Sequence, residues 1–190
     1  MSVWEKEVEE KLRKNLGGSN DYVALATVDA ARYQETNLNI IKYLVDNENT
    51  PGVYVTLNKP FEVLKKMFED RKIDANMVIF IDAVTKTAGG NIKKTKSCLY
   101  IGSPENLSDI SMAMDQAVTA VPGNEKFLFF DSLNTLLIYN KAVTVAKFIH
   151  FLSGKMRIWK VKGIIITFEE GSNKELIDQL RQFCDVIMEL

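Results

Sequence analysis

The chain has 190 residues, 46% of them hydrophobic, which is enough for one globular domain with a core of its own. Its 24 basic and 25 acidic residues give a formal charge of -1, so its overall charge attracts neither nucleic acid nor a membrane surface. The N-terminus lacks the apolar stretch of a signal peptide, and no apolar run reaches the roughly 18 residues of a membrane span, so we expect a cytoplasmic protein.

The first 18 residues predict an amphipathic helix. Ser2 and Glu5 fit an N-terminal capping box, and apolar residues recur every fourth position from Trp4 to Leu16 before a glycine pair ends the pattern. Trp4 is either a docking surface for a partner or a residue that packs this helix onto its own domain.

Six apolar runs follow, and they alternate with helical stretches. Most of the runs lack the polar alternation of a half-exposed strand, which predicts strands that are covered on both faces. The predicted strands are 22–28, 52–57, 77–82, 97–102, 126–131 and 163–168. The predicted helices lie at about 37–46, 60–72, 105–120, 141–156 and 173–184.

This order of elements predicts an α/β fold with three layers, in which helices cover both faces of a doubly wound, mostly parallel sheet. We expect one domain over residues 1–190. We also expect a last strand at about 185–189, and it could run antiparallel to the rest of the sheet.

Residues 85–97 contain two glycines and four lysines without apolar periodicity, so they predict a flexible, lysine-rich surface loop. Such a loop could contact nucleic acid. However, no aromatic residue is interleaved to stack on bases, which favours a solvated loop and makes nucleic acid an unlikely partner.

The two cysteines do not indicate a disulfide or a metal site. Cys98 and Cys184 lack a paired spacing, and His150 is the one additional soft ligand in the sequence. We therefore expect buried, reduced thiols and no bound metal.

The carboxyl ends of the predicted strands are where an open α/β sheet binds its ligand. Two apolar runs end in aspartate, so Asp82 and Asp131 could bind magnesium. Alternatively, each forms a turn or caps a helix, and for Asp131 this is the turn at Ser132. The residues that leave the predicted strands are Asp29, Asn58–Lys59, Asp82, Ser103, Asp131 and Glu169–Glu170.

Several longer strings resemble the RecA-like ATPases, and among them the KaiC-like domains. The segment "PGVYVTLNKPFEVL" is similar to the second strand and helix of that family, and "FLFFDSLNTLLIY" to its magnesium-side strand. The segments "VKGIIITFEE" and "FCDVIMEL" are similar to its last pair of strands. The resemblance runs from Gly17 to Leu190 and implies a fold of the P-loop NTPase type.

The residues at the implied phosphate site depart from the family's pattern. A phosphate-binding loop (P-loop) of the form G-x-x-x-x-G-K-[ST] needs glycines for backbone N–H contacts and a lysine for phosphate oxygens. Asp29 and Gln34 stand at the two glycine positions, and Glu35 stands at the lysine position. Only Thr36 fits the pattern.

The implied catalytic residues depart as well. Asn58 and Lys59 match the paired glutamates with which the family activates water, and neither can act as a carboxylate base. Asp131, followed by Ser132, matches the magnesium-side acid. We interpret these positions as vestiges of a nucleotide site and expect no catalytic residue and no cofactor.

Two functions remain from this reasoning. The favoured one is a non-catalytic interaction or regulatory (signalling) domain that has lost ATP binding and hydrolysis and acts through a protein partner, as a monomer or dimer rather than an ATP-dependent hexamer. The alternative is a nucleotide- or anion-binding ATPase-like protein with a non-standard site made of Arg32, Thr36 and Asp131.

Overall fold

The computed structural model describes residues 3–92, 95–168 and 174–190. The strands are β1 (Tyr22–Val28), β2 (Gly52–Thr56), β3 (Val78–Asp82), β4 (Cys98–Tyr100), β5 (Phe127–Asp131), β6 (Lys162–Phe168) and β7 (Val186–Glu189). The α-helices are α1 (Val3–Leu16), α2 (Tyr33–Lys42), α3 (Phe61–Asp70), α4 (Leu107–Ala120), α5 (Leu133–Tyr139), α6 (Ala142–Trp159) and α7 (Lys174–Arg181). A π-helical turn (Tyr43–Asn47) extends α2, and a 3-10 turn (Ala75–Met77) precedes β3.

The strands form one seven-stranded sheet in the order β4-β3-β2-β5-β6-β1-β7. Every neighbouring pair is parallel, which confirms the predicted α/β fold with a doubly wound sheet. The possibility of an antiparallel last strand is wrong, because β7 runs parallel to β1 with Ala24 opposite Val186. Here α7 lies between β6 and β7, and a helical crossover of this kind brings the chain back in the same direction.

Two apolar layers cover the sheet, one on each face. On the first face, α1, α2 and α3 pack over side chains such as Ala24, Tyr54 and Phe129. On the second face, α4, α5, α6 and α7 pack over side chains such as Leu25 and Phe130. Alternate residues of one strand thus enter different layers, as the strand geometry requires.

The N-terminal helix packs as its periodicity predicts. Val8, Leu12 and Leu16 are buried, whereas Ser2 of the predicted capping box lies outside the described residues. Trp4 is half-buried against the first layer, and the Arg32 guanidinium lies 4.3 Å from its ring centre. These contacts support the interpretation that Trp4 holds α1 on its own domain.

Two helices differ from the prediction. α2 begins at Tyr33, four residues before the apolar periodicity, because its first turn is polar. α5 was not predicted as a helix, since its apolar residues directly follow the apolar strand β5 and obscure the helical periodicity.

Within residues 3–92, 95–168 and 174–190, no helix combines the length and hydrophobicity needed to cross a membrane.

Parts of three other predictions lie outside the described residues. These parts are residues 93 and 94 of the lysine-rich loop, the start of the last predicted helix, and the Glu169–Glu170 pair. Cys98 is buried as expected, but Cys184 is only half-buried, and both are free thiols. The division into a single domain over residues 1–190 stays a prediction.

Candidate functional site

Side chains from three strand ends meet at one edge of the sheet. β5 lies between β2 and β6, and β1 is the next strand along, so their carboxyl ends are near one another. Tyr33 begins the helix after β1, Asn58 follows β2, and Asp131 ends β5. These three side chains form a single hydrogen-bonded cluster.

Asp131 is the centre of this cluster and is only 2% exposed. One carboxylate oxygen accepts from the Tyr33 hydroxyl and, at 3.0 Å, from the Asn58 amide. The other oxygen accepts from the Tyr54 hydroxyl at 2.7 Å. Burial raises the pKa of Asp131, and the three hydrogen bonds oppose that rise by favouring the carboxylate. The hydrogen bonds described for the Asp131 carboxylate come from side chains, and the interpretation of Asp131 as a cap for the turn at Ser132 receives no support from them.

The Asn58 amide joins Asp131 to the start of α5. Its Nδ2 donates to the Tyr33 hydroxyl at 2.8 Å and to Ser132 Oγ at 3.3 Å, in addition to Asp131. Its Oδ1 accepts from the Thr135 hydroxyl, and the Ser132 and Thr135 hydroxyls are 3.2 Å apart. The amide thus has partners on both of its ends.

Tyr33 lies between Asp131, which its hydroxyl contacts, and Phe168, which its ring contacts. Its ring makes an edge-on contact with Phe168, at 4.7 Å between ring centres. Burial and the neighbouring carboxylate both raise the pKa of Tyr33 above its ordinary value, so the phenol stays protonated and remains a donor. The same two causes raise the pKa of Tyr54. Asp131 therefore has two neutral phenol donors over the whole physiological pH range.

The loop between β1 and α2 uses its own backbone donors. The Ala31 N–H donates to Asp29 Oδ1 at 2.8 Å, and the Arg32 N–H donates to the Asp29 carbonyl oxygen at 3.1 Å. This is the local turn that an aspartate commonly forms with its own backbone. The Arg32 side chain is directed to Trp4.

The predicted site residues in the first turn of α2 lie apart from the Asp131 cluster and from one another. Glu35 pairs with Arg71 at 3.7 Å, and Arg71 also binds Glu5 at 2.6 Å, so Glu35 belongs to a surface ion-pair group. Thr36 is fully buried, and its hydroxyl and the Gln34 side-chain oxygen have no hydrogen-bond partner among the described residues. These three residues do not join the Asp131 cluster through any described hydrogen bond.

Lys59 and Asp82 hold the neighbouring backbone. The Thr56 hydroxyl donates to the Lys59 carbonyl at 2.7 Å and accepts from the Lys59 N–H at 3.1 Å. The Lys59 charge also lowers the pKa of Asp131. Buried Asp82 accepts from the N–H groups of Phe61 (2.7 Å), Val84 (2.7 Å) and Thr85 (2.8 Å), which confirms the turn-forming interpretation of this strand-end acid.

Among the residues that the structure describes, no group of three His, Cys, Asp or Glu side chains could hold a metal ion. The two strand-end aspartates belong to separate hydrogen-bond groups. His150 is exposed on α6, where its ring lies 4.5 Å from that of Phe183. It thus occupies a helix face rather than a catalytic cluster.

Positions at strand ends predict Asp131 and Asn58 as candidates, and the resemblance adds Ser132, but neither signal predicts the two tyrosines. A usable signal exists for Tyr54, because a tyrosine inside a buried strand needs a partner for its hydroxyl. For Tyr33 the sequence offers no such signal, since its surroundings in "ARYQE" are polar.

A family model described as a family of unknown function, DUF7504, matches residues 21–190. The chain belongs to DUF7504. No curated protein sequence matches this DUF7504 chain significantly.

Solved structures resemble the DUF7504 chain in fold. A KaiC-like protein from the hyperthermophilic archaeon Pyrococcus horikoshii OT3 has a TM-score of 0.66 at 15% identity, covering 94% of this chain and 76% of its own. An uncharacterized protein from Pyrococcus horikoshii, solved in complex with an unknown peptide, has a TM-score of 0.68 at 13% identity, covering 95% of this chain and 82% of its own. The DUF7504 chain therefore has a KaiC-like, RecA-like fold, and similarity at this level of identity says nothing more about its chemistry.

Proposed function

We propose that this chain is a non-catalytic interaction or regulatory module on a KaiC-like fold, one that neither binds ATP in the P-loop manner nor hydrolyses it. The observation that carries the proposal is the closed state of Asp131. Both of its oxygens accept phenol hydrogen bonds, and one of the phenols, Tyr33, comes from the segment aligned with a P-loop. Under this proposal, the segment that replaces the P-loop supplies the tyrosine that binds Asp131.

A magnesium ion would have to displace these donors. Mg²⁺ binds carboxylate oxygens in near-ideal octahedral geometry and keeps several of its waters, so it needs space as well as free lone pairs. The Tyr33 hydroxyl uses a lone pair of Asp131, and the Tyr33 ring packs on Phe168. Opening the site would break hydrogen bonds to a buried carboxylate, each worth about 1.5–3 kcal/mol.

The loop between β1 and α2 provides few favourable contacts for the phosphates of ATP. The Ala31 and Arg32 N–H groups already bind Asp29, so they are not directed at a ligand. At the position of the P-loop lysine, Glu35 would place a carboxylate near several phosphate charges, which replaces attraction by repulsion.

Water activation lacks a base as well. Asn58 has partners on both ends of its amide, and Lys59 is a cation, so neither acts as the carboxylate that the mechanism needs. The alternative anion site receives no support from the contacts of its residues. Arg32 lies over Trp4, Thr36 is fully buried, and Asp131 binds tyrosines.

An interaction role fits what is seen on the same fold elsewhere. One of the neighbours was solved in complex with an unknown peptide. Under our proposal, this chain likewise presents a protein-binding surface on a scaffold that no longer depends on nucleotide.

Isothermal titration calorimetry with ATP and magnesium tests the proposal. We expect no binding heat from the natural chain, because the phosphate and magnesium sides are both blocked. A variant carrying Asp29→Gly, Gln34→Gly and Glu35→Lys should gain weak binding without turnover, since the base is still missing. Glu35→Gln is the matched control, because it removes the charge without supplying a lysine.

Micromolar ATP binding by the natural chain, lost on Thr36→Ala or Asp131→Asn, would overturn the proposal. The loss of one well-placed transition-state donor removes about 3 kcal/mol, or roughly a hundredfold in rate, so a triple variant with rapid turnover would also contradict it.

A further inference from the structure

The surface formed by α4, α5 and α6 exposes an unusual number of large apolar side chains. Most of the strongly exposed ones in the described part of the chain lie here and not on the α1–α3 side. Scattered single apolar residues are normal on a protein surface, but a cluster of them marks an interaction site. The members are Met112 of α4, Ile138 and Tyr139 of α5, and Val143, Phe151 and Ile158 of α6.

On α6, the exposed apolar residues fall in one stripe. Val143, Lys147, Phe151, Gly154 and Ile158 lie within about 80° of each other around a helix of 3.6 residues per turn, and the stripe is about 22 Å long. Val143 is 67% exposed, Phe151 49% and Ile158 76%. The opposite face of α6 is buried against the sheet, so this helix is apolar on two faces.

A groove of about 340 Å³ runs beside the stripe, between α4 and α6. It is open to solvent, and Met112 and Phe151 stand at its rim. Its lining residues are Leu107, Ser108, Ser111, Met112, Phe148 and Phe151. The groove is shallow, and an amphipathic helix is the element that commonly lays its apolar face into an apolar groove.

The segment that contains α5 and α6 carries positive charges and no negative ones. Residues 132–168 contain six basic residues and no Asp or Glu, although the whole chain has a net charge of -1. Lys155 and Arg157 pair with Asp115 and Asp185 outside the segment. Lys147, in the middle of the stripe, has no ion-pair partner among the described residues. The stripe is thus apolar with an available positive charge at its centre.

Gly154 has no structural reason inside the chain to be a glycine. It lies in the interior of α6 without a positive φ, and a Cβ added there meets no atom within 4 Å. A glycine inside a helix is less favourable than alanine by about 0.5–1 kcal/mol. A missing side chain in the middle of an exposed stripe allows the backbone of another helix to come close.

From these observations we infer that the α4–α6 surface docks an acidic amphipathic helix of a protein partner. The apolar face of that helix would cover Phe151, Met112 and Ile158, its backbone would approach Gly154, and its Glu or Asp side chains would meet Lys147. This inference deepens the proposed interaction role and depends on it for the existence of a partner.

Two other occupants fit the surface less well. In a symmetric dimer through the same stripe, both copies of Lys147 would lie in one self-complementary interface, and the stripe has no acid to pair with either of them. An anionic membrane is flat and would not follow the groove between α4 and α6, so it would leave Leu107 and Phe148 uncovered. A helix can lie along the groove, and acidic side chains on its flank can pair with Lys147.

Fluorescence anisotropy with the full chain tests the inference. The probe is a fluorescein-labelled 18-residue peptide with leucines at helical spacing on one face and glutamates on both flanks. A second peptide carries lysine in place of each glutamate. We expect the acidic peptide to bind and the basic peptide to bind at least tenfold more weakly.

Variants locate the binding on the stripe. Phe151→Ala and Lys147→Glu should each weaken binding of the acidic peptide at least tenfold. Gly154→Gln should raise the melting temperature, because it supplies a better helix former in open space, and should nevertheless weaken binding. Val63→Ala on α3, another exposed apolar position, is the matched control and should leave binding unchanged.

Several outcomes would overturn the inference. These are no binding of the acidic peptide, equal binding of both peptides, or binding that Phe151→Ala and Val63→Ala affect alike. Binding to vesicles of phosphatidylserine and phosphatidylcholine that is lost in Phe151→Ala would assign the surface to a membrane. A dimer in light scattering that Phe151→Asp dissociates would assign it to a second copy. None of these results changes the calorimetric test with ATP, so the two proposals can fail separately.

Discussion

Replacing Tyr33 with phenylalanine tests whether the buried carboxylate cluster stabilises the fold. The substitution keeps the aromatic ring against Phe168 but removes a hydroxyl that donates to Asp131 and accepts from Asn58. A hydrogen bond to a charged group contributes about 1.5–3 kcal/mol, so we expect Tyr33→Phe to lower the free energy of unfolding by about 2 kcal/mol at pH 7.

The pH dependence gives the prediction a sign. Burial raises the pKa of Asp131 in the folded protein above that of the unfolded chain, so the folded state binds the proton more tightly. The stability that this group contributes therefore falls as the pH rises from the unfolded pKa of about 4 through the folded pKa. Removal of the Tyr33 donor raises the folded pKa of Asp131 further, so the loss in the variant should be larger at pH 8 than at pH 4.5.

Urea unfolding at both pH values measures the effect. With a slope of about 2 kcal/mol per molar urea, a loss of about 2 kcal/mol moves the midpoint by about 1 M. Tyr139→Phe is the control, since Tyr139 is 42% exposed and its change should stay within about 0.5 kcal/mol. If Tyr33→Phe behaved like Tyr139→Phe, or if its effect grew on acidification, the proposed role of the cluster would be refuted.

Three further predictions follow from other contacts. The Lys162 side chain is only 6% exposed and bridges Glu48 (2.7 Å) and Glu125 (3.4 Å). Lys162→Met should therefore lower the free energy of unfolding by about 3 kcal/mol in the urea assay. Lys147→Met is the control, and an equally small effect of both substitutions would contradict the prediction. At Gly52, an added Cβ would lie 2.3 Å from Phe127 Cγ, so Gly52→Ala should destabilise by about 2 kcal/mol, whereas Gly154→Ala should stabilise slightly. Light scattering should show a monomer or dimer whose mass does not change with ATP and magnesium, and a ring that forms on ATP addition would refute this.

The sheet could be predicted from the sequence because its strands carry strong local signals. In "FLFFD" and "GIIITF", unbroken runs of β-branched and aromatic residues have no polar side to place in water. The direction of β7 could not be read in this way, because it depends on hydrogen bonds to β1 at the other end of the chain. The start of α2 was missed for a related reason, since its first turn has no apolar periodicity.

The candidate site was predicted only in part because its contacts join distant residues. Asp131 and Asn58 stand at strand ends, where the fold alone makes them candidates. Tyr33 reaches Asp131 across 98 residues of sequence, and no local pattern encodes that contact. The interpretation of Glu35 as a carboxylate in place of the P-loop lysine stays a prediction, and its ion-pair partner Arg71, which directly follows α3, has no signal in the sequence near Glu35.

The strand order also determines when the protein can fold during synthesis. Both sheet neighbours of β1 are late strands, β6 and β7, and the Val23 N–H is held by Asp185 at a distance of 162 residues along the chain. At roughly 5–20 residues per second, the ribosome needs on the order of 10–30 seconds to produce those partners. During that time the apolar strand "YVALATV" has no neighbour to pair with, and such long-range pairing is intrinsically slow. A mutation that prevents β6 or β7 from forming would therefore leave β1 without a pairing partner, and the unpaired strand would be exposed to aggregation and to proteases.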